Sequence, residues 1–110
     1  MDALAIAASG MQAAQAQMSV AANNIANQNT PRFKAQSVNL VDVANDGGVE
    51  VAGVRSTGRS VDPATEMAKL RQAAFMYGAN AMVVRVADQM YGSLLNVLDT
   101  DDRNSQQNNS

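Results

Sequence analysis

Cysteine and histidine are both missing from this chain, and aromatic residues are reduced to two Tyr and two Phe. Without Cys there is no disulfide framework and no thiolate nucleophile or ligand. Without His the commonest general base and one of the commonest metal ligands are gone as well. Positive charge is sparse: the eight Lys and Arg are scattered from Arg32 to Arg103, and the net charge is −2. Nucleic-acid binding rests on neutralising phosphates, so this distribution argues against a nucleic-acid partner. Charge of either sign is absent from residues 3–31. A signal peptide wants a basic start, whereas the second residue is Asp2. Gln12, Gln15, Gln17, Asn23, Asn24 and Asn27 also break any apolar run long enough to span a bilayer. We therefore expect neither a cleaved signal nor membrane insertion.

What the chain does have is Ala and Met in helical register. Much of its 46% hydrophobic content is Ala, with seven Met. A methyl removes little area from water, so such a core packs closely but stabilises weakly, and partners are expected to complete it. Residues 2–28 hold no Pro and a single Gly, a composition that favours helix. Leu4, Met11, Met18 and Ile25 recur every seven residues. Beside them run Ala7, Ala14 and Ala21, and on the other side Ile6, Ala13 and Val20. Alternating large and small rows let a second helix approach closely. The stop is expected in the Asn-rich stretch before Pro31, where Asn tolerates the left-handed conformation that ends helices.

The middle changes period. Val38, Leu40, Val41 and Val43 precede the turn residues 45–48, and Val49, Val51 and Val54 follow, which predicts a small β-hairpin. Two strands alone are marginal in water, so the hairpin should lean on a helix or a neighbour. Residues 56–60 read as a mobile linker. A second helix should start at Asp62 and Pro63, with Glu66 favourable near its N-terminus. Its heptad rows are Leu70, Tyr77, Val84, Tyr91 and Leu98, and Met76, Val83, Met90 and Val97. Gly78 and Gly92 each cost about 1 kcal/mol against Ala, so tight packing or partial order of the isolated helix is expected there. Asp99 onward should end the helix and form a disordered tail. The fold expected is mainly α: two long terminal heptad helices forming a coiled-coil hairpin, with a small β-hairpin between them. Its segments are residues 1–31, 32–61, 62–98 and a tail, 99–110.

No catalytic constellation emerges. Asp42, Asp46 and Glu50 read as the solvated edge of the hairpin, and Asp101 and Asp102 as part of the tail. Gly47 and Gly48 lack the helix start and Lys-Ser/Thr pair of a phosphate loop. Tyr77 and Tyr91 at heptad spacing read as packing residues, and the Met rows as helix packing rather than a peptide groove. No catalytic, cofactor or metal-binding residue is assigned, and the chain is not expected to be an enzyme. The heptads fit either a self-contained helical hairpin or packing against other chains. More than one apolar row per helix points to contacts on several sides.

The run SGMQAAQAQMSVAANNIANQNTPRFKAQ, residues 9–36, resembles the N-terminal signature of the bacterial flagellar rod and hook axial proteins, most specifically in ANNIANQNTP at 22–31. VDPATEM at 61–67, YGANA at 77–81, ADQM at 87–90 and LLNVL at 94–98 resemble that family's C-terminal signature. Short length and GVEVAGV at 48–54 resemble the proximal-rod members, although the middle is shorter than theirs. Arg32 stands where the family usually has Gly, and the family generally ends soon after the Leu-Leu run. The resemblance implies a structural subunit of the flagellar basal-body rod. Such a subunit is exported through the flagellar type III apparatus without a cleaved signal. It assembles in the periplasm into a hollow helical filament with itself and other rod subunits. The implied assembly interface comprises Leu4, Met11, Met18, Ile25, Leu70, Tyr77, Val84, Tyr91 and Leu98, with Asn23, Asn24 and Asn27 bonding at the helix end to help fix register. The alternative is a cytoplasmic helical adaptor or secretion chaperone, which would need the same heptads but no export.

Overall fold

The computed structural model describes residues 2–45 and 47–108. Its elements follow in the order α1 (Ala3–Ala26), β1 (Gln36–Asp42), β2 (Val49–Ser56) and α2 (Pro63–Asn108). The helices lie side by side and antiparallel: Gly10 sits against Asn80, while Ala3 lies beside Ala87 and Met90. The result is a rod of 80 × 26 × 15 Å, mainly α with a two-stranded antiparallel sheet between the helices. Asp46 of the expected turn, and Asn109 and Ser110 of the expected tail, lie outside the described residues.

Each helix begins on an aspartate. Asp2 Oδ1 accepts from the Ala5 backbone N–H at 2.8 Å. Asp62 accepts from the Ala64 N–H at 3.2 Å and from the Thr65 hydroxyl at 2.9 Å, with Pro63 as the first helical residue. These side chains satisfy donors that have no partner inside the helix. Glu66 is buried in the first turn of α2, where the helix dipole favours a carboxylate.

Helix α1 stops where expected but by a different device. Asn27 is not left-handed; its φ is −103°, and its N–H still reaches the Asn23 carbonyl. The left-handed residue is Arg32, at φ 68°. The Phe33 N–H donates to the Thr30 carbonyl at 3.1 Å across Pro31 and Arg32. Pro at the second position and positive φ at the third describe a type II turn, a place usually held by Gly or Asn.

The hairpin forms as its alternation suggests. Val38 pairs with Val54 and Leu40 with Val51, and Ala52 is the extra residue of a bulge opposite the Asn39–Leu40 step. Among the described residues it packs on α1 and not on α2. The expected mobile linker is instead tied down. The Ala35 N–H donates to the Arg59 carbonyl, and the Ala35 carbonyl accepts from the Thr57 N–H, both at 2.8 Å. Gly58, at φ 72°, supplies the bend between these two bonds.

The tail departs from expectation most. Helix α2 does not end near Leu98 but continues to Asn108, giving 46 residues and a length of about 69 Å. The Thr100 hydroxyl donates to the Asn96 carbonyl at 3.0 Å, and Arg103 pairs with Asp99 one turn away at 3.0 Å. After Gly92 the chain has neither Gly nor Pro, and an established helix propagates at small cost through merely indifferent residues. Gly78 and Gly92 have nothing within 4 Å of where a Cβ would stand. Close packing inside the chain therefore does not account for either one.

Candidate assembly interface

The seam between the helices is built on small residues. Ala7, Ala14 and Ala21 of α1 are buried, while Leu4, Met11, Met18 and Ile25 are half-buried. Together these seven positions alternate steps of three and four, so they form a single stripe with large and small residues in turn. The seam is close at Gly10, where an added Cβ would stand 2.6 Å from Asn80 Nδ2. Asn80 Nδ2 itself donates to the Met76 carbonyl at 2.9 Å, along its own helix.

On α2 the covered positions are Glu66, Leu70, Ala73, Tyr77, Asn80, Val84 and Ala87, again in steps of four and three, with Ala81 beside them. The same steps lead on to Tyr91, Leu94 and Leu98. There α1 has run out: Tyr91 is 55% and Leu98 53% exposed. Of the heptad residues expected at the interface, Leu70, Tyr77 and Val84 therefore face α1 within the chain, whereas Tyr91 and Leu98 do not. Residues 91–108 form an overhang of about 27 Å beyond the helix pair.

The three asparagines act inside the chain, Asn23 and Asn24 on strand β1 and Asn27 on Asn23 and Thr30. Asn24 is fully buried. Its Nδ2 donates to the Gln36 carbonyl at 2.9 Å, and its Oδ1 accepts from the Gln36 backbone N–H at 2.9 Å. Asn23 Nδ2 donates to Gln36 Oε1 at 3.3 Å. Asn27 Nδ2 is shared between the Asn23 carbonyl and Asn23 Oδ1, and the Thr30 hydroxyl donates to Asn27 Oδ1. At the other end of the hairpin the Val49 N–H donates to Ser9 Oγ at 3.2 Å, and Ser9 donates onward to the Ile6 carbonyl. Between Ser9 and Asn24 the helix rises about 22 Å, and the seven residues of β1 span about 20 Å. The two anchors thus match, and the hairpin lies along α1 with Val38 and Leu40 half-buried. Sequence reasoning missed Ser9 and Gln36 as partners, and only the Asn-rich composition hinted at such bonding.

Between the hairpin and α2, along α1, runs a groove of about 530 Å³. Ala13, Gln17 and Val20 form its floor, Val38 and Leu40 one wall, and Met76 the other. The outer side of α2 is also apolar: Phe75 is 75% and Met90 67% exposed, with Met82, Val86 and Val97 along the same face of the helix. Each such side chain is worth roughly 1.5–3 kcal/mol if fully buried. Among the described residues no group of three carboxylates gathers as a metal site, and no helix is long and apolar enough to cross a membrane.

Residues 4–34 match the family described as flagella basal body rod protein, and residues 58–97 match the flagellar basal body rod FlgEFG protein C-terminal family. The chain belongs to the flagellar basal-body rod protein family. No curated protein is significantly similar to it. The family is one of structural rod components of the flagellum, and the matched segments are α1 with its stop and α2 with its start, as far as Val97. The first match includes Asn23, Asn24, Asn27 and the Arg32 turn. The second takes in the Asp62 cap and ends at Val97. The hairpin and the acidic end of α2 lie outside both matches.

Proposed function

We propose that this chain is a rod subunit whose terminal helices build the wall of a hollow helical axial filament, with neighbours covering the apolar rows a single copy leaves bare. The observation that carries the reading is the α2 seam, continuous from Glu66 to Leu98 but covered only as far as Ala87. A helix that keeps its seam beyond its partner is made to receive another. In this reading Leu4, Met11, Met18, Ile25, Leu70, Tyr77 and Val84 hold the subunit's own helix pair. Tyr91 and Leu98, with the outer row at Phe75, Met82 and Met90, meet other subunits. Asn23 and Asn24, with Asn27 bracing Asn23, set the hairpin against α1 and so shape the subunit's outer face.

The bare hairpin between the two matched segments supports a proximal-rod type, since it leaves no room for a large outer domain. The subunit would leave the cytoplasm through the flagellar export apparatus and reside in the periplasmic rod. Quantifying the chain in purified basal bodies, and locating it along their axis by labelled electron microscopy, tests this directly. Enrichment in the rod supports the reading. Retention in the cytoplasm would instead favour a helical adaptor or secretion chaperone. Deleting Ala3–Ala26 should abolish incorporation while leaving expression, because α2 loses the partner of its covered seam.

A further inference from the structure

The fold gathers cations that the sequence scatters. Residues 27–35 and 57–62, between the stop of α1 and the start of α2, form one end of the rod. The bonds of Ala35 with Arg59 and Thr57 bring Lys34 beside Arg59 there. Arg32 stands in the turn two residues before Lys34, and Arg55 lies opposite Ser37, about 7 Å along the strand from Ala35. All four are exposed. Among the described residues ion pairs form at Lys69–Glu66 and Arg103–Asp99 alone, so none of the four is paired. Asp62 is the one exposed acidic side chain at this end, since Glu66 is buried, which leaves a net of three positive charges. The other acidic residues are distant. Asp88 and Asp99 lie about 38 and 54 Å along α2 from Pro63. Asp2, Asp42 and Glu50 lie toward the Ser9 end of the hairpin, about 22 Å or more from Asn24. Charges in water are screened beyond about 8 Å at physiological salt, so a partner touching this end meets its cations and not the acidic remainder.

We propose that this end docks end-on to an anionic lipid surface, with Arg32, Lys34, Arg55 and Arg59 among the headgroups. This goes beyond the rod-subunit reading and does not depend on it. Two observations favour lipid as the partner. Apolar groups stand among the cations: Pro31 and Pro63 are exposed and Phe33 is half-buried. Basic side chains interleaved with apolar ones are the composition of an interfacial contact. The four cations also come from two loops and a strand, without a single helical or strand spacing. A fluid layer of headgroups adapts to such a scatter, whereas an acidic peptide would have to match it. The contact needs no membrane-crossing helix, and none of the described helices is long and apolar enough to be one. Bound in this way the rod stands away from the bilayer. Its overhang begins about 42 Å out, with its apolar rows open to neighbours.

The test is flotation of the full chain with vesicles of equal parts phosphatidylglycerol and phosphatidylcholine at about 0.1 M salt. The chain should float with them and should not float with vesicles of phosphatidylcholine alone. At about 1 M salt, where charges act over about 3 Å, it should be released. Each basic side chain at an anionic surface strengthens binding about fivefold, so Lys34→Gln with Arg59→Gln should weaken it about twenty-five-fold. Arg85→Gln with Arg103→Gln makes the same change in net charge far from this end, and should alter binding less than about twofold. Failure of the wild-type chain to float with the mixed vesicles overturns the proposal, and so does an equal loss from the two variant pairs. Retention on immobilised poly-glutamate without flotation also overturns it, and assigns the basic end to an acidic protein instead.

Discussion

The side-chain amide of Asn24 occupies both backbone hydrogen-bonding groups of Gln36, donating to its carbonyl and accepting from its N–H, each at 2.9 Å. A residue of helix α1 thereby does for the first residue of β1 what a neighbouring strand would do. Asn24 is fully buried and Gln36 half-buried, and no buried side-chain polar atom is left without a partner among the described residues. Asn24→Ala removes both bonds and should cost about 2–3 kcal/mol, since each is worth about 1 kcal/mol net and the groups left behind are partly shielded from water. The Gln36 amide should then exchange with solvent much faster than in the wild type, while amides in the middle of α1 change little. Unchanged exchange at Gln36 would show that the anchor is incidental.

Arg32 adopts φ 68° at the third position of a turn that suits glycine. A side chain in that region costs roughly 1–2 kcal/mol. Arg32→Gly relieves the strain but adds freedom to the unfolded chain, so a net gain of up to about 1 kcal/mol is expected. Arg32→Val, branched at Cβ, should lose stability instead. Denaturation midpoints of the two variants should lie on opposite sides of the wild type. A midpoint for the glycine variant below the wild type would mean that the arginine side chain contributes more than its backbone costs.

Gly10 and Asn80 make a coupled pair. An alanine at position 10 would gain about 1 kcal/mol of helix propensity but would bring its Cβ to 2.6 Å from Asn80 Nδ2. The obstacle is the end of a flexible side chain, which can swing away at the loss of its bond to the Met76 carbonyl. Gly10→Ala alone should therefore be near neutral, and Gly10→Ala combined with Asn80→Ala should be more stable than the two single changes added together. A double-mutant cycle should return a coupling of about 0.5 kcal/mol or more. Strict additivity would mean that the helices are not as close at Gly10 as the geometry places them.

The helices and the hairpin were legible because each rests on a period: seven-residue rows at Leu4 and Leu70, and alternation around residues 45–48. The Asp62–Pro63 start was legible for a similar reason, as a local cap chemistry. What periodicity cannot carry is the identity of a distant partner. Nothing in the sequence says that Asn24 meets Gln36 or that Ser9 meets Val49, since both depend on the strand matching the helix in length. The helical course of residues 99–108 was missed because acidic residues were weighed as a stop. In fact they disfavour only the last turn, and the Asp99–Arg103 pair supports the turns before it. Arg32 showed itself only as a departure from the family's glycine, and its positive φ required coordinates.

Gly78 and Gly92 distinguish what the single chain needs from what the filament needs. Both lie inside α2 with open space where a Cβ would be, so the single chain has no steric reason for either. Gly78→Ala and Gly92→Ala should each stabilise the isolated protein by about 1 kcal/mol, read as a higher melting temperature with greater helical signal. If neighbours in the rod approach α2 closely at these points, the same substitutions should impair incorporation and motility. Stability and assembly would then move in opposite directions. Gains in both together would show that the glycines are not contact points, and would leave the exposed row at Phe75, Met82 and Met90 as the surface to examine next.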